Sequence, residues 1–220
     1  AGNNVAKSLQ ALVSACKRHF DITPEYKSRF VDSGFYIFKQ NDWKLIVDAG
    51  QPGPAYIPGH AHCDAMSFEL FKAGKPVIVN CGTYAYQCKE RSFFRSTAAH
   101  NTATVNDTEQ SQCWGAFRMA KRSKVNVVSV SENAIVIELI DQRGQAVKRT
   151  IQLEKTIKVT DESSGNKLTA FVHPIREIDM SFEGNAKTTS QQYAPEYGEM
   201  DSLEAVKYEG KGKISVEICI

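Results

Sequence analysis

The sequence predicts a mainly β chain, an antiparallel two-sheet β-sandwich carrying one N-terminal helix. Three observations point there. Short segments in which apolar and polar residues alternate recur along most of the chain, and that alternation marks a strand with one buried face. Clusters of Gly, Asn, Asp and Ser, such as Asn106-Asp107 and Ser163-Ser164-Gly165-Asn166, punctuate them. Convincing helical spacing occurs at one place, near the N-terminus. Sheets with one apolar face each bury those faces against one another, which gives two stacked layers.

Taken in order, Val5, Leu9, Leu12, Val13, Cys16 and Phe20 fall at helical spacing between Asn4 and Phe20, with Asn3 or Asn4 placed to cap the first turn. Pro24 closes that segment. Phe35 to Phe38 and Trp43 to Asp48 flank the polar turn Gln40-Asn41-Asp42 and read as a hairpin. Further strands are expected at 67–71, 77–80, 101–105, 125–130, 134–140, 147–153 and 157–160. The stretch 180–212 is poorer in apolar residues and reads as long loops before a last strand at 213–220. The organisation is therefore a helical segment over 1–28 and a sandwich domain over 29–220.

Composition is that of an ordinary globular chain, with 42% hydrophobic and 24% charged residues in 220. A net charge of +2 without a dense Lys/Arg stripe argues against nucleic acid as a partner. Local patches such as Lys121-Arg122-Ser123-Lys124 still suit a polyanionic sugar. No apolar run approaches the roughly 20 residues that span a bilayer, so no membrane partner is expected. The six cysteines are scattered without CxxC pairs and read as free thiols.

The densest chemistry lies in three neighbouring segments: Gly59-His60-Ala61-His62-Cys63-Asp64, Asn80-Cys81-Gly82-Thr83-Tyr84-Ala85-Tyr86, and Arg95-Ser96-Thr97-Ala98-Ala99-His100-Asn101. On an extended strand, histidines at i and i+2 point the same way, and a third from another strand can close on them. Imidazoles with a carboxylate suit zinc. The alternative is that His60, His62 and His100 are separate turn or edge residues bonded to the backbone. Trp114 and Phe117 read as core aromatics, with stacking on a sugar face as the alternative. His173 reads as a satisfied core or edge histidine.

The segments PGHAHCDAMSFEL, KPVIVNCGTYAY, FFRSTAAHNTATVN and QCWGAFR resemble, in that order, the C-terminal part of the heparinase II/III-like family of polysaccharide lyases. The resemblance runs from about Ser33 to Arg118 and implies a supersandwich-like β-domain. It also implies an activity: cleavage of a uronic-acid-containing polysaccharide, of heparin, heparan sulfate or alginate type, by β-elimination. The proton removed lies α to a carboxylate, so that charge must be neutralised while a base takes the proton and an acid protonates the departing oxygen.

Carried over residue by residue, the resemblance puts His60 at the substrate and His62 and His100 on a metal. Tyr86 is the expected cleft tyrosine, with Tyr84 its competitor. Arg95 is expected either to hold a sugar carboxylate or to anchor its own loop. Asn80 stands where such lyases usually carry aspartate as the third metal ligand. A neutral amide withholds a compensating charge, which leaves the divalent metal, zinc by donor type, open. Asp64 is the carboxylate able to replace it, a turn or capping role being its alternative. Family members carry a helical toroid before the sandwich, so segment 1–28 reads as a toroid remnant and that missing domain as a partner. By itself such a chain is expected to turn over little. The competing reading is a non-catalytic carbohydrate-binding or structural sandwich. The periplasm or cell envelope is the compartment the resemblance implies, and unpaired cysteines leave the cytoplasm open.

Overall fold

The computed structural model describes the backbone of residues 2–220 and the side chains of residues 10–220. Helix α1 (Gly2–Phe20) opens the chain. It begins ahead of Asn3 and Asn4, whose side chains lie outside the described residues. Leu12, Val13 and Phe20 are exposed, so they add nothing to the sandwich core. Among the described residues no helix is long and apolar enough to cross a membrane.

Strands β1 (Arg29–Phe30), β2 (Phe35–Gln40), β3 (Trp43–Asp48), β4 (Phe68–Lys72) and β5 (Lys75–Ile78) form one antiparallel sheet in sequence order. The expected β2–β3 hairpin is present, with Phe35 opposite Asp48 and Gln40 opposite Trp43. Its turn is two residues, with Asn41 in the left-handed region (φ 53°) that asparagine tolerates better than most side chains. After a short helix α2 (Arg91–Phe94) and a 3-10 turn (Thr97–Ala99) come β6 (Ala103–Val105) and the small hairpin β7 (Gln112–Trp114) and β8 (Arg118–Ala120).

The second sheet is built from β9 (Lys124–Val130), β10 (Ala134–Ile140), β11 (Ala146–Leu153), β12 (Thr156–Val172), β13 (Met180–Glu183), β14 (Asn185–Tyr193) and β15 (Asp201–Cys219). Its order is β13-β15-β12-β11-β10-β9, with β14 also on β15 and β6 on β12. One apolar core joins the two sheets, with Phe38, Leu45, Val47, Phe68 and Leu70 from the first meeting Ile137, Ile151, Val159, Leu168 and Val216 from the second.

Two expectations need correction. The Ser163–Asn166 cluster is no turn: β12 runs through it, and the register to β15 shifts between Glu162 and Lys167, which marks a bulge. Residues 180–212 are largely strand rather than loop. β14 is mostly exposed, so it shows no apolar alternation to betray it.

The longest interruptions of the first sheet's pattern are the connections 49–67, between β3 and β4, and 79–102, between β5 and β6. Long ordered connections on a rigid scaffold are where function concentrates. These two carry every histidine of the dense segments.

Candidate active site

The His60–Asp64 segment is a loop, not the expected extended strand. Ala61 N–H donates to Pro58 O (3.1 Å), Cys63 N–H to Arg95 O (2.9 Å) and Ser67 N–H to Asp64 O (3.0 Å). This folding separates the two histidines. The exposed His60 ring meets Tyr86 edge-on (centroids 5.2 Å) and Phe117 (5.5 Å). His62 turns to His100 instead, with Nδ1 3.2 Å from His100 Nε2. Asp64 joins that pair, so ligand atoms of His62, Asp64 and His100 lie within 4.8 Å of one another.

His100 is placed by a buried polar network around Asn101, which is fully buried. Asn101 Nδ2 donates to Phe68 O (2.8 Å) and Val79 O (2.9 Å), clamping the open end of the β4–β5 pair. Those bonds orient the amide so that Oδ1 accepts the backbone N–H and Nδ1–H of His173, both at 2.8 Å. From the second sheet, Arg149 Nη1 reaches Asn101 O (2.7 Å) and Met66 O (2.9 Å). The same guanidinium makes a bidentate pair with Asp161, 2.7 Å on each arm. A charged pair in the core thereby holds both site loops.

Burial, then His100 and Arg91 nearby, pushes the His62 imidazole down to about 2. Burial likewise takes His100 down to about 4, so both rings are neutral at ordinary pH and able to bind a metal. Arg91 Nη1 stands 2.8 Å from His62 Nε2 and, as a cation, donates to it. His62 Nδ1 faces His100 Nε2, a nitrogen that also lies 3.2 Å from Phe94 O. His100 Nδ1 is buried without a protein partner. Around the pair a cavity of about 380 Å³ is also lined by Asp48, Glu69 and Asn80. Burial raises Asp64 to about 6, and burial followed by the charge of Asp64 raises Asp48 to about 6. Burial raises Glu69 as well. Carboxylates held above their usual range beside two neutral imidazoles form a donor set that a divalent cation fits.

The sequence matches the family described as Heparinase II/III-like, C-terminal, over residues 22–192. The chain belongs to that family. A curated heparin-sulfate lyase from Bacteroides stercoris is 31% identical over 121 residues, which cover 50% of this chain and 17% of that protein. Among solved structures, a heparinase III gene product superposes with a TM-score of 0.75 at 17% identity, over 97% of this chain and 41% of its own. The heparan sulfate lyase HepC from Pedobacter heparinus superposes with a TM-score of 0.62 at 16% identity, over 98% and 40% respectively. At such identities the likeness establishes a shared fold. The chain spans well under half the length of these relatives.

Within this heparinase II/III-like domain several expected residues are placed differently. Asn80 lines the same cavity as His62, Asp64 and His100, with its Oδ1 accepting Asn101 N–H (2.9 Å) and its amide nitrogen 3.5 Å from Ser67 Oγ. The carboxylate beside the two imidazoles is Asp64. Arg95 is a loop anchor, 1% exposed, donating to the carbonyls of Ala61, Gly115 and Arg118 at 3.1–3.3 Å. Tyr84 packs into a small cluster with Cys81, Phe94, Ala99 and Ala194, whereas Tyr86 faces His60.

Trp114 and Phe117 are no core aromatics, being 45% and 40% exposed. The sequence reading missed Arg91, which stacks its guanidinium 5.2 Å from the Tyr86 ring while bonding His62, and so ties the two halves of the site together. It missed Tyr197 too, whose ring lies 5.4 Å from Tyr86. That residue comes from the β14–β15 connection, where no local pattern marks it. The bridge between Gly82 and Ala194 and the bond from Gly198 N–H to Tyr84 O (2.8 Å) bring it in.

Proposed function

We propose that this chain is the β-domain of a polysaccharide lyase that cleaves a uronic-acid-containing polymer, of heparin, heparan sulfate or alginate type, by β-elimination. The observation that carries the reading is the pairing of exposed His60 with Tyr86 directly beside the neutral His62–His100 pair. These are two proton-carrying side chains in contact, which is what an elimination needs. In this reading the His60 imidazole takes the proton α to the carboxylate and the Tyr86 phenol gives one to the departing glycosidic oxygen. Arg91 holds the Tyr86 ring from its face and the His62 ring through its bond. Phe117 and Tyr197 flank the pair and supply apolar faces on which a sugar ring stacks. The opposite wall belongs to a helical toroid, the partner domain implied for this family, in a periplasmic or envelope protein.

His62, Asp64 and His100 would hold a divalent cation, zinc by donor type. Bound there, the ion supplies positive charge that fixes the loops below the cleft, since elimination uses no water nucleophile. Support for it is the neutral state of both rings together with the carboxylate within ligand reach.

A second reading, a non-catalytic carbohydrate-binding sandwich, is favoured by the exposed Phe117 against His60, the exposed Tyr197 against Tyr86, and the exposed Trp114 on the hairpin that carries Phe117. Ultraviolet absorbance of unsaturated uronide, followed with the full-length parent on heparin, heparan sulfate and alginate, separates the two. A rise that His60→Ala or Tyr86→Phe lowers by about 10²–10⁴-fold supports the lyase. No rise on any uronate polymer leaves binding alone.

A further inference from the structure

The geometry points to Cys63 and Cys113 as a dithiol that closes into a reversible disulfide, stapling the β7–β8 hairpin to the histidine loop. Their sulfurs are 3.7 Å apart although 50 positions separate them in sequence. Both residues are held in place. Cys63 is 1% exposed, its N–H fixed to Arg95 O (2.9 Å) and its Sγ directed at Ser111 O (3.3 Å). Cys113 is the central residue of β7 and half-buried, so a reagent reaches its sulfur first. The other buried thiol, Cys81, aims at Gln191 Oε1 instead (3.9 Å).

A disulfide needs the sulfurs to approach to about 2.05 Å, an inward movement of roughly 1.7 Å. The hairpin is suited to it: two three-residue strands that pair with each other and belong to neither large sheet. What now attaches it to the site is hydrogen bonding from buried arginines, Arg91 to Ala116 O (3.2 Å) and Arg95 to Gly115 O and Arg118 O. The cross-link would add a covalent tie between the residue flanked by His62 and Asp64 and the hairpin that bears Trp114 and Phe117. The redox state of the pair thus sets how firmly the rim beside His60 is fixed.

The chemistry balances with a small-molecule disulfide as oxidant. The Cys113 thiolate attacks one sulfur of oxidised glutathione, forming a mixed disulfide and releasing one glutathione thiolate. The Cys63 thiolate then attacks the Cys113 sulfur, forming the Cys63–Cys113 bond and expelling the second glutathione. Two electrons pass from the cysteines to glutathione disulfide, and the two thiol protons end on the two glutathiones.

The test is independent of the lyase reading. The full-length protein is incubated with oxidised glutathione, free thiols are trapped with iodoacetamide, and peptides are mapped without reductant. The expected product is a peptide bearing Cys63 joined to one bearing Cys113, lighter by two hydrogens and released by dithiothreitol. Amide exchange across residues 112–120 should slow in the oxidised protein relative to the reduced one. Cys113→Ser should abolish the cross-linked peptide and the slowing together. Recovery of Cys113 as a lasting glutathione adduct with Cys63 still alkylatable after denaturation would overturn the proposal. So would a cross-link that leaves hairpin exchange unchanged.

Discussion

Removing the carboxylate of Asp161 should destabilise the chain by about 3–5 kcal/mol, although Asp161 touches no residue of the dense sequence segments. The magnitude follows from what surrounds Arg149. Both side chains of the pair are 0% exposed, and the guanidinium makes four bonds, two to Asp161 and two to the carbonyls of Met66 and Asn101. Asp161→Leu removes two charge-assisted bonds, each worth roughly 1.5–3 kcal/mol, and strands a buried cation. Breaking one side of such a pair typically costs about 3–5 kcal/mol.

Arg149→Met should be comparably damaging, because it orphans two carbonyls and a buried carboxylate, but its damage should depend on pH. A buried, unpartnered carboxylate has a folded pKa raised above its unfolded value. Its penalty is relieved as pH falls through that raised value and returns above it. The double variant Arg149→Met/Asp161→Leu removes both charges and should recover part of the loss. Urea unfolding of the four proteins at several pH values measures all of this. An Asp161→Leu loss below about 1 kcal/mol, or an Arg149→Met loss that ignores pH, would refute the buried-pair account.

Asp64→Asn should lower zinc affinity by at least about 10-fold, whereas Asn80→Asp should leave zinc content unchanged; metal analysis after dialysis checks both. In the presence of chelator three buried histidines work against the fold as pH falls from 6.5 towards 4. There the unfolded state protonates three histidines (His62, His100 and His173) that burial keeps neutral in the fold. Asp48 and Asp64, raised to about 6, and Glu69, also raised by burial, oppose this by taking up protons in the fold before the unfolded chain binds them. The double Asp48→Asn/Asp64→Asn variant removes two of the three opposing carboxylates and should steepen the acid loss by up to two protons, or ~2.7 kcal/mol per pH unit, in acid titrations of unfolding. Gly82→Ala should destabilise the chain by at least roughly 1–3 kcal/mol in thermal melts, since Gly82 has φ +79° and an added Cβ would fall 2.2 Å from Ala194 O.

Much of the sandwich was legible because its central strands obey alternation. Ile135, Ile137 and Leu139 point inward on β10, and Ile157 and Val159 do so on β12. Where alternation fails, the reading failed. β14 is polar on both faces, and the Ser163–Asn166 bulge uses turn residues inside a strand. The histidines of the site were legible from residue type, but their grouping was not. His60 and His62 diverge because Cys63 N–H is tied to Arg95 O, a contact across 32 residues that no local pattern announces. Asp64 was visible as a possible donor, yet the bond that Asn80 Oδ1 accepts from Asn101 N–H was not.

One signal was available and unused. Arg149 falls at an inward position of β11, in line with Val147, Ile151 and Leu153, and Asp161 occupies the matching inward position of β12, directly opposite it. Opposite charges on the core-facing register of neighbouring strands are either a misassigned face or a deliberate buried pair. Here the pair exists because the layers must transmit position as well as exclude water. An apolar pair could fill the same volume, yet it would offer no donor to Met66 O and Asn101 O, and the loops bearing His62 and His100 would lose their tie to the second sheet. The core charge therefore follows from the site's need for two long connections to end at fixed places. The polar network around Asn101 is what converts a stable sandwich into one that presents its histidines at hydrogen-bonding distance.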